Sequence, residues 1–576
     1  MARPALLPVL LAAALALLWL ALGPPTPDLA AQAYRTDLFA REGFTVWNGF
    51  WFGGHHTPGY SILFPPLGAL FGPRLVGAIA AVASAALFAA IIRRHADTPA
   101  AARWAAVWFA AATATDLFIG RLTFGLGVTV GLACVLAAQR GRPRLALALA
   151  VGCTLASPVA GLFLAMCGVA DWLAHRRRLG LAVAAAAMGP ALALAVAFPE
   201  GGAQPFSAGA LLAIAAVSAL IVRLVPADER TIRTVALLYV ASAALAFVVA
   251  SPMGGNASRL GAMFAGPVLV AVALGRIPAR TLALAAVPLL VWQWYAPVRE
   301  TFKGATDPSA DPAYFQPLLG FLEAQADASD RVEIPFTRLH WEAVNVAREF
   351  PLARGWETQL DVKYNGLFHG DRAHRLTADD YRRWLLQQGV RFVAVPDVPL
   401  DPSARAEARV IASRPAWLRP VWRARDWRVY EVRGRRDVAR GAEVVRLGPE
   451  TVTVRMRAPG TALVRVRWTP YWTITRGRAC VAPARGGWTT IRASRPGIVT
   501  LRARFTLSRL VFRGKRCTAT PIPRLRAVNI PARHVPPRPH PGAAVSAGLS
   551  RSGSPAPALR RRVLRLPLHP RVGQHA

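Results

Sequence analysis

Residues 74–94 read RLVGAIAAVASAALFAAIIRR, eighteen small or apolar residues bounded by arginines. At 1.5 Å per residue a helix over that run covers about 27 Å, close to the hydrocarbon thickness of a bilayer. Comparable runs lie at 5–23, 101–116, 121–138, 144–158, 159–174, 179–198, 207–225, 233–250, 260–275 and 280–297. With the opening run at 74–92 they predict a polytopic α-helical membrane protein of about eleven transmembrane helices occupying residues 1–297. The whole chain agrees, since 54% hydrophobic residues and a mean hydropathy of +0.32 exceed the content of a soluble globular protein.

Charge supplies an orientation. Basic connectors (Arg93, Arg94 and Arg103; Arg140, Arg142 and Arg144; Arg176 to Arg178; Arg223, Arg230 and Arg233; Arg276 and Arg280) alternate with connectors poor in basic residues. Positive residues favour the cytoplasmic side, which puts the N-terminus inside and the loop 24–66 outside. An odd number of spans then places everything after Pro297 outside, in a multi-pass plasma-membrane protein. Pro24 and Pro25 follow the first apolar run without an A-x-A site, so an uncleaved helix is expected there rather than a signal peptide. The formal charge of +38 does not point to nucleic acid, because the arginines sit between apolar runs and in the C-terminal part rather than on one face.

After Pro297 the apolar runs shorten. Residues 298–436 read as an α/β region: helix 312–326, strand 332–336, a helix at 376–389 between Thr377 and Gly389, and strand 391–396. Residues 437–520 alternate β-branched and polar residues between Gly and Pro turns, the pattern of a small antiparallel β-sandwich. Cys480 and Cys517 flank its later strands and are expected to form a disulfide in an oxidising exterior, two buried thiols being the alternative. Residues 521–576 hold ten arginines, many prolines and no acidic residue, a composition expected to be disordered.

The loop 24–66 contains PDLAAQAYRTD at 27–37 and WNGFWFGGHHTPGYSILFPP at 47–66. It resembles the first exterior loop of the GT-C superfamily of membrane glycosyltransferases. The chain is most similar to actinobacterial proteins of that plan that share W-x-x-x-W-F/Y-G-G-H (Trp47 to His55), S-P-x-G-G-N-x-x-R-L (Ser251 to Leu260) and a segment like ARGWETQLDVKYN (353–365). The resemblance implies a sugar taken from a polyprenyl-phosphate donor and passed to a cell-envelope glycan or lipid acceptor, among membrane lipids. It also implies an acidic residue just after the first helix. Here that residue is Asp28. Many members carry paired acids, whereas Asp28 is followed by Leu29, and Asp37, nine residues on, would face about 180° away on a helix.

Glycosyl transfer from a lipid phosphate needs a base for the acceptor hydroxyl and cations or hydrogen-bond donors for the departing phosphate. Asp28 fits the base; a helix cap for a helix beginning at Leu29 is its alternative role. His55 and His56 follow two glycines and are candidates for the phosphate or a divalent cation (Mg or Mn), although adjacent histidines diverge and no zinc spacing is present. Trp47, Trp51 and Tyr60 offer faces to a sugar, while the tryptophans would equally suit the headgroup belt. Together these residues read as the rim of a cleft at the membrane surface. Asn256 and Arg259 are spaced i, i+3, and Arg121 ends another span beside Asp116; each arginine either binds phosphate or snorkels to headgroups. ASPVAG at 156–161 is similar to ASPMGG at 250–255, too short a match to define a repeat. Two other classes fit the composition: a lipid or glycan transporter, disfavoured by spans whose charges sit at their ends, and a non-catalytic envelope scaffold.

Overall fold

The computed structural model describes residues 6–327, 329–512 and 517. Thirteen helices make the first half: α1 Leu6–Leu22, α2 Pro27–Glu42, α3 Phe64–Phe71, α4 Pro73–Ile92, α5 Pro99–Ile119, α6 Leu122–Gln139, α7 Pro143–Ala156, α8 Pro158–His175, α9 Arg178–Ala197, α10 Ala208–Leu224, α11 Arg230–Val248, α12 Ser258–Ala273 and α13 Ala279–Ala305. Each of the eleven apolar runs is therefore helical. Among the described residues, however, only seven helices are long and apolar enough to cross a membrane, or up to eight if α1 and α2, bent by 80°, count as one span.

The eleven expected spans are corrected downward for physical reasons. α7 has 14 residues, about 21 Å against the roughly 30 Å of a hydrocarbon core. α1 and α10 have 17 residues each, and the 21 residues of α5 are diluted by Arg103, Asp116, Thr113 and Thr115. Small residues set the packing within the bundle. A Cβ on Gly168 would lie 2.5 Å from the Gly180 carbonyl, and one on Gly127 would lie 2.7 Å from Ala160. Such backbone approach is what holds helices together where lipid removes the hydrophobic drive between them.

Between α2 and α3, β1 (Trp47–Asn48) and β2 (His55–His56) pair antiparallel. After α13 comes the mixed sheet β3-β4-β6-β5, built from β3 Arg331–Glu333, β4 Val390–Pro396, β5 Leu418–Arg423 and β6 Trp427–Val432, in which β3 and β4 are parallel. The expected strand 332–336 shortens to β3 because Pro335 has no N–H for a ladder. The helix at Ala378–Gln388 closes with a capping box between Thr377 and Asp380 and with Gly389 at φ 71°.

The remaining strands are β7 Ala439–Arg440, β8 Glu443–Leu447, β9 Thr451–Met456, β10 Gly460–Arg467, β11 Trp472–Arg476, β12 Ala479–Pro483, β13 Trp488–Ala493 and β14 Gly497–Ala503. They form two four-stranded sheets, β12-β13-β10-β7 and β11-β14-β9-β8. Alternate residues such as Val454, Val464, Ile491 and Val499 bury a common core between them. The described residues belong to one compact unit, so the membrane-type helices, the mixed sheet and the sandwich are not separate bodies. The segment 521–576 lies outside the described residues.

Cys480 on β12 is bridged to Cys517, with Cα atoms 5.3 Å apart. Closing a loop with a sequence separation of 37 is worth roughly 4 kcal/mol in the chain-entropy model. The variant C480S should therefore unfold at a lower temperature than the parent, and non-reducing peptide mapping of the parent should recover both cysteines in one linked peptide. Alkylated free thiols at both positions would refute the bridge.

Candidate functional site

Asp28 lies in the first turn of α2. The helix begins at Pro27 with Thr26 in the N-cap position, so the alternative that Asp28 caps a helix starting at Leu29 is wrong. Gln32, one turn on, donates to the Asp28 carbonyl at 2.9 Å and accepts from the Thr123 N–H at 3.0 Å, and it also donates to the Gly120 carbonyl. Gly120 takes φ 86° at the α5–α6 turn, and a Cβ there would lie 2.3 Å from Thr26 Oγ1. The start of α2 is therefore locked against that turn, and the lock delivers Arg121, whose Nε is 3.4 Å from Asp28 Oδ2.

These groups wall a cavity of about 210 Å³. Asp28, Tyr60, Arg121, Asn256 and Arg259, named from four separate stretches of sequence, all line it. The short 3₁₀ turn Gly254–Ala257 runs into α12 and brings Asn256 and Arg259 to the same side. The short match between 156–161 and 250–255 acquires a place as well, since Ser157 and Pro252 line the same cavity. Arg259 has no acidic side chain within ion-pair distance among the described residues; its guanidinium lies 5.5 Å from the centre of the Phe124 ring. Phe124 also borders a second, apolar cavity of about 370 Å³ among α6, α8, α10, α11 and α12. The two cavities share no lining residue but lie side by side, with Thr123 and Arg259 on the polar one and their neighbours Phe124 and Leu260 on the apolar one.

Glu357 was not singled out from the sequence. It lines the polar cavity opposite α2, paired with Arg35, whose guanidinium lies 4.0 Å from the Tyr60 ring centre. Burial raises the Glu357 carboxyl above its ordinary range, against the pull of Arg35. Trp356 beside it donates to the Pro27 carbonyl at 2.6 Å. The only signal was that both residues fall in the ARGWETQLDVKYN segment.

His55, His56, Trp47 and Trp51 are not at the cavity, and the expected cleft rim is corrected accordingly. Trp47 and Trp51 are at most 2% exposed, which also rules out a headgroup belt for them. Trp51 stacks on Tyr34 at 4.3 Å and on His55 at 5.6 Å, and donates to the Ala343 carbonyl. His56 pairs through Nδ1 with Glu200 at 2.6 Å and through Nε2 with Thr469 Oγ1 at 2.9 Å. The glycines ahead of the histidines make room for an indole rather than a ligand: a Cβ on Gly54 would lie 2.2 Å from Trp47. Asp37 pairs with Arg41 and Arg348, away from Asp28. Among the described residues no three His, Cys, Asp or Glu side chains converge as a metal site would require.

No family model and no curated protein matches this chain.

Burial, then the nearby Arg35, pushes His55 down to about 3 from 6.5. Burial alone would raise Glu200, but the hydrogen bond and charge of His56 outweigh it and hold the carboxyl at about 2. The two signs separate by pH. An unfolded chain takes up a proton at His55 below pH 6.5 that the folded chain refuses down to about 3, so stability falls as pH drops through that window, by about 1.4 kcal/mol per unit. Glu200 contributes stability that is lost only below about 4.5. Chemical denaturation between pH 6.5 and 4.5 should therefore show a destabilisation in the parent that H55Q flattens; an equal slope in both would show that His55 does not titrate there.

Proposed function

We propose that the chain is a multi-pass membrane glycosyltransferase that moves a sugar from a polyprenyl-phosphate donor to an acceptor on the cell envelope. The cavity and the regions after α13 then face the exterior and the N-terminus the cytoplasm. The observation that carries the reading is that one cavity wall holds a carboxylate, Asp28, and an arginine with no acidic side chain in ion-pair distance among the described residues, Arg259, beside a separate apolar cavity. A polyprenyl phosphate has the matching anatomy, an anionic head joined to a long apolar tail. A scaffold has no comparable need for a carboxylate and such an arginine on one cavity wall.

Asp28 takes the proton of the acceptor hydroxyl as its oxygen attacks the anomeric carbon. The bond from that carbon to the phosphate oxygen breaks on the opposite face, and the lipid phosphate leaves with the electron pair. The sugar is transferred with inversion. Arg259 binds the phosphate as its charge grows, with Asn256 and Arg121 beside it. Arg121 also holds the Asp28 carboxylate in place through the 3.4 Å contact. Tyr60 supplies an aromatic wall for the sugar, and the isoprenoid chain runs past Phe124 into the apolar cavity. His55 and His56, buried in the scaffold, have no part in the step.

The test uses the full chain in liposomes with matched polyprenyl-phosphate sugars. D28N keeps shape and removes the base, so transfer should fall by about 10²–10⁴ while thermal stability changes by under about 1 kcal/mol. R259Q should raise the donor KM, and E357Q should act through the Arg35 pair with a smaller loss. Near-normal transfer by D28N alongside an inactive E357Q would move the base to Glu357. Absence of transfer and of donor binding in the parent would overturn the reading.

A further inference from the structure

A third cavity, of about 520 Å³, lies on the other side of the Trp356–Thr358 segment from the polar cavity around Asp28, and these two residues line both. The proposed reaction at the first cavity leaves this one unused. Its acids are already satisfied. Asp361 is 1% exposed and accepts from Arg354 at 3.1 and 2.6 Å, from Asn365 at 2.9 Å and from His369 at 2.7 Å. Burial would raise its carboxyl, but Arg354 and His369 hold it down at about 2. Asp401 accepts from the Ser403 N–H at 2.8 Å and lies 3.5 Å from His340 Nε2.

Its two arginines are not satisfied. Arg405 and Arg409 occupy i and i+4 of the helix Arg405–Ala412, both exposed, both on the cavity wall, and neither has an acidic partner within ion-pair distance among the described residues. His369 and His374 line the same cavity. Paired guanidinium forks on one helix face suit a carboxylate or phosphate group. Trp356, stacked on His340 at 3.4 Å, brings to the wall an aromatic ring of the kind a sugar packs on, while the Ser403 hydroxyl is already engaged, accepting from Arg354 at 3.1 Å and bonded to the Asp401 carboxylate.

We propose that this cavity binds an anionic saccharide, a sugar unit bearing a carboxylate or phosphate, with Arg405 and Arg409 on the anion and Trp356 against the ring. Resting on the transfer reading above, that unit belongs to the acceptor glycan. Only the Trp356–Thr358 wall separates the two cavities, so a glycan held here and passing over that segment would bring its hydroxyl-bearing end toward Asp28. An acidic envelope polysaccharide, rather than a neutral one, is then the acceptor class.

Calorimetric titration of the detergent-solubilised full chain tests this with three probes: a glucuronate–glucose disaccharide, glucose 6-phosphate, and neutral cellobiose. One of the two anions should bind at least tenfold more tightly than cellobiose, identifying carboxylate or phosphate as the recognised group. The charge-reversed variant R405E/R409E should weaken that binding at least tenfold, and D28N should leave it unchanged. Equal binding of cellobiose, undiminished binding in the double variant, or no binding of either anion up to about 10 mM, where affinity is under roughly 3 kcal/mol, would overturn the proposal. Because the titration involves no transfer, selective anion binding by a chain without transferase activity would leave this site standing and remove only its acceptor role.

Discussion

Residues 45–57 hold the molecule together by being buried where three parts meet. The Val46 N–H donates to Glu450 at 2.8 Å and the Gly49 N–H to the Pro449 carbonyl at 2.6 Å, which binds the loop to the sandwich. The Phe50 carbonyl accepts from Leu352 at 2.8 Å and the Trp51 indole reaches the Ala343 carbonyl at 3.1 Å, which binds it to the mixed-sheet region. Arg467 completes the joint, donating through its backbone N–H and its Nε to the Gly53 and Phe52 carbonyls at 2.7 and 2.8 Å. Backbone groups of a loop buried this deeply cost free energy unless paired, and here they are paired across hundreds of residues of sequence.

That burial explains the loop's composition. Trp47 and Trp51 each bring a large apolar surface with a single donor, and the chain opposite them must be stripped to glycine: a Cβ on Gly355 would lie 2.4 Å from Trp51. Phe52 takes φ 60° and Gly53 and Gly54 take φ 74° and 128°, a tight reversal that only the surrounding packing makes tolerable at the phenylalanine. His56 and Glu200 then tie the α9–α10 connector to the same joint, with Tyr364 donating to the other Glu200 oxygen at 3.0 Å. The polar cavity inherits its precision from this joint. Asp28 and Tyr60 flank the loop on one side, and Trp356 and Glu357 follow directly on the glycine that Trp51 requires.

What could be read from the sequence divides along the range of the interaction. Helix positions depend on local apolarity, and each of the eleven runs is a helix; whether α5 or α7 suffices to cross a bilayer depends on a few polar residues and on four residues of length. The cap and stop of the helix at 378–388 are local too, and Thr377 and Gly389 sit in those roles. The site needed contacts that no window contains. Arg35 meets Glu357 from 322 positions away, and His56 meets Thr469 from 413. An H-H pair after G-G looks like a ligand cradle until the indole that fills the space is known. Arg259 and Asp28 were legible because each opens a helix at an apolar boundary, where a charge must have a reason; Glu357 lies in a polar segment, where a charge draws no notice.

The same contacts weigh on the choice among functional classes. A scaffold that displays a glycan-binding module from a membrane anchor needs only a tether between the two, and its module would keep its own core. Here two of the module's cores are completed by the first loop: Trp51 and Phe52 pack in the same cluster as Leu318, Val332 and Val429, and Trp47 packs with Val454 and Ile491. Removing the first loop would open both cores at once. The cavity is likewise shared, with α2, the α5–α6 turn, the 252–259 stretch and the 356–359 segment each giving part of its wall. Such interlocking fixes the position of groups at a membrane-type bundle relative to groups far along the chain. A display function gains nothing from that rigidity, whereas a reaction between a lipid-borne donor and a separate acceptor depends on it.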